Sequence, residues 1–321
     1  MKKGKILTNP LIRSVLRWPF PQKEERALAR DGAVLGDKRC GAAINTGVYS
    51  GPHAEALSFC RSLNSALAAG ILPDSVMLSL LLPERETEPV LSSRMQRLQE
   101  LAERENLAIC GGSTAVSANC SSAVITAVIS GKFAEGYEDG PKLQEGMALL
   151  VTGFLGEAGT GVLVQEEEDR LSRRFSRDFL QGAEICEERL SVRPAAEILR
   201  DEQAVMHDIS EGGIFSALYT FSEGHGCGFR VRQRDLPIRQ ETVEICNELD
   251  INPYEMLSTG ALLAAVKDAD RALLRLHDAG IPAVCVGEVI SGRQKLLLRG
   301  DEIRHLERPA QDPLMRLPNF G

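Results

Sequence analysis

The sequence predicts a two-domain protein of mixed α/β (α+β) class, on three observations. The chain has 321 residues, about twice the usual length of one domain. Hydrophobic residues make up 43% and charged residues 26%, the balance of a globular chain that can bury its own cores. Short apolar segments alternate with stretches of helical period along most of the length. Charge and composition exclude several functions. Lys and Arg number 37 against 45 Asp and Glu, and the resulting −8 argues against nucleic acid or an anionic membrane as partner. Apolar runs such as Val76–Leu82 fall far short of the roughly 18–20 residues of a membrane helix. No apolar core with a cleavage site follows the basic N-terminal residues, and the eight cysteines are scattered without a Cys-x-x-Cys pair. Reduced, mostly buried thiols and a cytoplasmic location are the expectation.

The elements follow in order. Ala33–Leu35 and Ala42–Thr46 read as short strands punctuated by Gly36, Gly41 and Gly47. His53–Ala69 carries Ala56, Phe59, Leu63 and Leu67 at helical spacing and stops at Gly70. Ser75–Leu82 is a buried strand, Glu88–Asn106 an amphipathic helix, and Leu107–Cys110 a strand running into a Gly111-Gly112-Ser113-Thr114 turn. Ala123–Ile129 and Met147–Thr152 are further strands, joined by a polar, Gly-rich loop. The predicted domains are 1–152 and 153–321. In the second, a turn at Gly153 leads into a helix, and Glu166–Arg177 is a solvated face. Ala204–Asp208 is a strand ending in Ser210-Glu211-Gly212-Gly213, followed by a helix from Ile214 to about Ser222. Phe229–Val231 and Ala261–Val266 are strands, while Glu241–Leu249 and Ala269–Ala279 are helices. Val284–Val289 and Lys295–Leu298 read as a closing strand pair, with an irregular Pro-rich tail after Asp301.

Three glycine-bearing strand ends are the candidate chemistry: Arg30-Asp31-Gly32-Ala33, Cys110 to Thr114, and Met206 to Gly213. Each joins small residues, which let an anion approach the backbone, to a hydroxyl or carboxylate. None is a Walker loop or a G-x-G-x-x-G turn, and a Gly pair after a strand is more often plain turn chemistry. His207 beside Asp208 offers a general base or a satisfied polar residue, and His53 an exposed first turn. Lys2, Lys3 and Lys5 offer cations for phosphate or a merely solvated terminus. Cys110 and Cys120 lack a neighbouring base and read as core thiols.

The segment MHDISEGGIFSAL resembles the Asp-x-Ser-x-Gly-Gly signature of the aminoimidazole ribonucleotide (AIR) synthase superfamily. DLPIRQETVEICNELDINPYEMLSTGALLAAV resembles its hydrogenase-maturation carbamoyl dehydratase branch. RDGAVL, SLNSALAAGILPDSVMLSLLLP and ICGGSTAVS stand where that family has its Asp-Asp-Ala-Ala-Val strand, Asn-Asp helix unit and Gly-Gly-Asp-Thr turn, in the right order over nearly the whole chain. The resemblance implies an N-terminal β-sheet domain that pairs into a dimer barrel and a C-terminal α/β sandwich domain. It also implies ATP in the cleft between domains, Mg²⁺ held by aspartates, and phosphoryl transfer to a small-molecule substrate. On these positions Arg30, Asp31, Asn64, Gly111, Gly112, Thr114, Asp208, Gly212 and Gly213 become the nucleotide-binding candidates, and Asp31 and Asp208 the metal candidates.

The departures from the pattern are as informative. Arg30 replaces one of the paired aspartates, Gly47 replaces the next strand-end aspartate, Asn64-Ser65 replaces Asn-Asp, and Ser113 replaces the turn aspartate. A serine carries no charge, so the Mg²⁺ site is weakened. Arg30 either clamps phosphate in its place or points to solvent. No cysteine follows Cys285, where the carbamoyl dehydratase carries its substrate on a C-terminal thiol, so that specific reaction is not expected. Two functions remain: an ATP-dependent enzyme acting on a small acyl or amide substrate, with its catalytic residues unassigned, or a dimeric paralogue that binds or regulates without catalysis.

Overall fold

The computed structural model describes residues 6, 11–16, 19, 28–36 and 39–317. Lys2, Lys3 and Lys5 lie outside them. The first sheet has five strands in the order β1 (Ala33–Leu35), β2 (Cys40–Gly47), β5 (Val124–Phe133), β3 (Ile71–Pro83), β4 (Ala108–Ser117). Only the β3–β4 pair is parallel. Helices α1 (Ala54–Ala68) and α2 (Glu88–Arg104) follow β2 and β3. The Gly-Gly-Ser-Thr segment is not a turn, as its composition suggested, but the middle of β4. Glycine is required there for close approach, because a Cβ on Gly112 would fall 1.9 Å from the Leu78 carbonyl oxygen.

A second sheet has seven strands in the order β12 (Glu302–His305), β11 (Lys295–Arg299), β8 (Gly228–Arg232), β10 (Ala283–Ile290), β6 (Ala148–Thr152), β9 (Ala261–Val266), β7 (Val205–Ile209). The longer helices of this half are α3 (Glu157–Glu166), α4 (Arg193–Asp201), α5 (Gly213–His225), α6 (Gln240–Leu249) and α7 (Ala269–Asp278). Strand β6 lies at 148–152, inside the predicted first domain, yet it pairs with β9 and β10 of the second sheet. β10 and β11 do not pair with each other either; both flank β8, and β11 then turns at Gly300 into β12, in a tail expected to be irregular. Glu166–Arg177 spans the end of α3, a short helical turn and the first residue of another.

Helix α1 joins the two halves. It packs against β2, β3, β5 and α2 on one side, and against β7 and α4 on the other. All of its residues are buried, so its polar side chains must find partners inside the protein. Ser62 Oγ donates to the Ala127 carbonyl at 2.9 Å, Glu55 pairs with Arg94, and Asn64 reaches into the second half. Asn64 Nδ2 donates to the Leu190 carbonyl at 2.8 Å and its Oδ1 accepts the Val192 amide at 3.0 Å.

No described residue covers the opposite face of the first sheet at Ile44, Met77 and Val116. Register places Ile44, Val128 and Met77 in one row across β2, β5 and β3, with Ile44 63% and Met77 44% exposed. Hydroxyl rows flank it: Thr46–Thr126 at 2.9 Å and Ser75–Ser130 at 2.9 Å.

Asn64→Ala would strand a buried carbonyl and a buried amide, at a cost of about 2–4 kcal/mol. Urea unfolding of the variant should show the whole of that loss in the midpoint, with no gain or loss of secondary structure beforehand.

Candidate functional site

Strand β7 delivers His207 and Asp208 to the seam between the halves. The Asp208 amide donates to Asp31 Oδ2 at 2.8 Å, and His207 Nδ1 stands 3.0 Å from Asp31 Oδ1. His207 also meets the Phe221 ring of α5, whose other neighbour is the His225 ring at 4.8 Å. Burial, reinforced by His207, pushes His225 down to about 4, so its imidazole is neutral near pH 7. One residue past Ser210, Glu211 Oε1 accepts Arg61 Nη1 at 2.6 Å and the Tyr49 hydroxyl at 3.1 Å, and Arg61 Nη1 also donates to that hydroxyl at 2.8 Å. Burial opposes the Arg61 charge, but Tyr49, Glu211 and Asp208 outweigh it and hold the guanidinium above its ordinary value. Burial, partly offset by Arg61, raises the Tyr49 hydroxyl well above its own. This network is a structural lock.

A cavity of about 640 Å³ lies one residue along the chain from the His207–Asp31 pair: Arg30 and Met206 line it, whereas Asp31, His207 and Asp208 do not. Arg30, Tyr137, Asp139, Lys142, Met206 and His225 contribute to its wall. Arg30 lies in the cavity wall and is half-buried. Its Nη1 donates to the Glu138 carbonyl at 2.9 Å and its Nη2 to that of Tyr137 at 3.4 Å, over the Phe133 ring. Burial lowers its pKa, with Asp139 acting against the shift.

The other candidates divide. Asp31 and Asp208 meet, but Asn64 is fixed between α1 and the 190–192 backbone. Gly111, Gly112 and Thr114 lie on β4, at the sheet edge opposite β1 and Asp31, four strand spacings of about 4.8 Å away. Within one chain the nine residues do not form one site. Gly47 explains a lost carboxylate: a Cβ there would fall 1.9 Å from Ser58 Oγ and 2.5 Å from Ser58 Cβ. Ser113 shares the row of Thr46, Thr126 and Ser79, so hydroxyls stand where the family pattern has an acid. Asp31 Oδ2 accepts the Asp208 amide and its Oδ1 stands 3.0 Å from His207 Nδ1, and no group of three His, Cys, Asp or Glu among the described residues is placed to hold a metal ion. Among the described residues of one chain, Asp31 and Asp208 are not joined by a third ligand that would complete a resident Mg²⁺ site.

Other expectations change as well. His53 is not at an exposed turn; its Nδ1 lies 2.7 Å from Glu187 Oε1 of the second half, and burial lowers its pKa. Cys110 is exposed and Cys120 half-buried, so neither is a core thiol; Cys60 and Cys246 are, and burial pushes both up to about 12.

The Gly212-Gly213 loop is held from within by a residue that motif reading passed over. Gly212 donates its amide to Asp312 Oδ2 at 2.8 Å, and Gly213 donates to the Ser210 carbonyl at 3.0 Å. A Cβ on Gly213 would come within 2.5 Å of the Tyr254 carbonyl oxygen, so this glycine is a packing requirement. Burial pushes the Asp312 carboxyl up to about 7 although the Gly212 and Leu314 amides favour its charge. A carboxyl protonated more readily in the folded chain adds stability at low pH, and loses it as pH rises from 3.8 towards 7. Asp312→Asn should therefore flatten the pH dependence of the melting temperature across that window, read by parallel melts of both proteins.

Comparison with known proteins agrees with this architecture. Residues 144–298 match the family model described as AIR synthase related protein, C-terminal domain. The carbamoyl dehydratase HypE of Escherichia coli is 25% identical over 280 residues, covering 84% of this chain and 80% of the relative. The solved HypE–HypF complex superimposes with a TM-score of 0.78 at 20% identity, over 93% of this chain and 99% of that one. HypE in complex with ATP gives 0.74 at 20% identity, over 98% of each chain. Residues 144–298 thus carry an AIR synthase related C-terminal domain, and over most of its length the chain is similar to HypE carbamoyl dehydratases.

Proposed function

We propose that this chain is an ATP-dependent enzyme that binds nucleotide at the seam between its halves and activates a small acyl or amide substrate. The carrying observation is a cavity at the seam whose wall includes the cations Arg30 and Lys142, with Asp31, His207 and Asp208 meeting next along the chain from its lining residues Arg30 and Met206. The relative solved with ATP supports the nucleotide, and the HypE relatives support the substrate class. Lys142 would offset charge on the phosphates, while Arg30 shapes the wall by holding the 137–138 backbone.

The remaining candidates enter through a second copy. The Ile44–Val128–Met77 row is self-complementary in the way a two-fold interface requires. A two-fold axis running along the strands would set β4 of one copy over β1 of the other. Gly111, Gly112 and Thr114 would then face the partner's Asp31, completing a site that one chain leaves divided. A non-catalytic reading rests on a different observation: Asn64 and Arg30 have structural bonds, and Gly47 cannot host an acid.

Two measurements decide. Ligand at about 100 times its dissociation constant adds roughly 2.7 kcal/mol to the native state, which a melt resolves. ATP should raise the melting temperature of the wild type, and Asp208→Asn should remove the shift along with any ATP hydrolysis. A stable dimer with no response to ATP would favour the non-catalytic reading. Sedimentation should give a dimer for the wild type and a folded monomer for Ile44→Asp, with ATP binding weakened in the same variant. An unaltered dimer would place the interface elsewhere.

A further inference from the structure

Near the other end of α5 from His225, beside β11 and β12, lies a cavity of about 680 Å³. Its floor is apolar, with Phe215, Leu297 and Leu306, and Tyr254 stacks on Phe215 with ring centroids 5.3 Å apart and planes 18° from parallel. Phe215 is buried, so the half-buried Tyr254 is the ring that presents a face. The rim carries Arg234, Arg299, Arg304 and Arg308 against the carboxylates Glu255 and Glu307. Arg304 is bonded to Glu302 at 2.7 Å, whereas no carboxylate lies within ion-pair distance of Arg234 or Arg299 among the described residues. The turn at Gly300, next to Arg299, lies against Arg234, since a Cβ on Gly300 would lie 3.6 Å from Arg234 Nη2. A local excess of arginine in a chain of net charge −8 needs a reason, and solubility does not supply one.

We propose that this cavity is a second ligand site, distinct from the seam, for a planar aromatic molecule that bears a phosphate group. The ring would lie on Tyr254, and Arg234 with Arg299 would take the phosphate as paired guanidinium forks, the geometry in which arginine exceeds lysine. The volume exceeds what one mononucleotide fills and suits the size range of small-molecule sites. Nothing in the argument uses Asp31, His207 or Asp208, so the site stands or falls apart from the proposed ATP chemistry.

Flavin mononucleotide is a direct probe, because stacking on tyrosine quenches its fluorescence. Titration of the full chain into the flavin should give saturable quenching. Riboflavin, which lacks the phosphate, should bind at least about tenfold more weakly, and inorganic phosphate should compete. Arg234→Ala with Arg299→Ala should weaken flavin mononucleotide about tenfold or more while leaving riboflavin unchanged. Tyr254→Leu should reduce the quenching of both, and Asp208→Asn should alter neither. Both arginines are exposed, and unchanged melting temperatures in their variant exclude a folding effect. No saturable binding up to about 1 mM, equal affinity for the two flavins, or arginine variants that bind as the wild type does would each overturn the proposal.

Discussion

A helix buried on every side must answer for each polar atom it carries, and α1 imposes that condition on the whole molecule. It lies between the five-stranded sheet and the second half, so neither half could close over it without supplying partners. Arg61 finds Glu211 and Tyr49; Asn64 finds two backbone groups near residue 190; Glu55 finds Arg94. Removing one member of a buried ion pair is costly because the other charge remains without water. The relative placement of the halves is therefore fixed by chemistry as well as by apolar packing, and the Asp31–His207–Asp208 cluster inherits its geometry from that placement.

The same condition explains what could be read from the sequence. Apolar period placed α1, α2, α6 and α7 because a helix with one apolar face announces itself. The Asp-x-Ser-x-Gly-Gly signature located the β7–α5 junction. Strand pairing was not legible: β6 reads as an apolar run whichever sheet it joins, and β8 separates β10 from β11 without any local mark. The Gly-Gly-Ser-Thr segment looked like a turn because glycine serves both turns and close strand approach, and only Leu78 across the ladder tells them apart.

The site was less legible than the fold. Asp31 and Asp208 were found because their family positions carry charge at strand ends. Asn64 was assigned to ligand because it stands where the family pattern has its Asn-Asp helix unit, whereas its bonds are internal ones. Arg61, three residues earlier on the same helix, gave the matching signal, a charged residue on a buried face. Asp312 had no local signature, since it is a carboxylate in a polar tail and its role depends on an amide a hundred residues away. Gly111, Gly112 and Thr114 were grouped with Asp31 by motif, and a single chain separates them across a sheet.

Gly47 has a consequence for the chemistry of this fold. Ser58 Oγ and Cβ occupy the volume an acid at 47 would enter, and the Ser58 Cα lies only 3.0 Å from where a Cβ would be built. Trimming Ser58 to alanine leaves its Cβ in the way. Even glycine at 58, which weakens a helix interior by about 1 kcal/mol, leaves the backbone of α1 crowding the position. An acid at this strand end would thus demand a shift of the helix on which both halves are hung. The chemistry open to this chain is whatever proceeds without a carboxylate at 47.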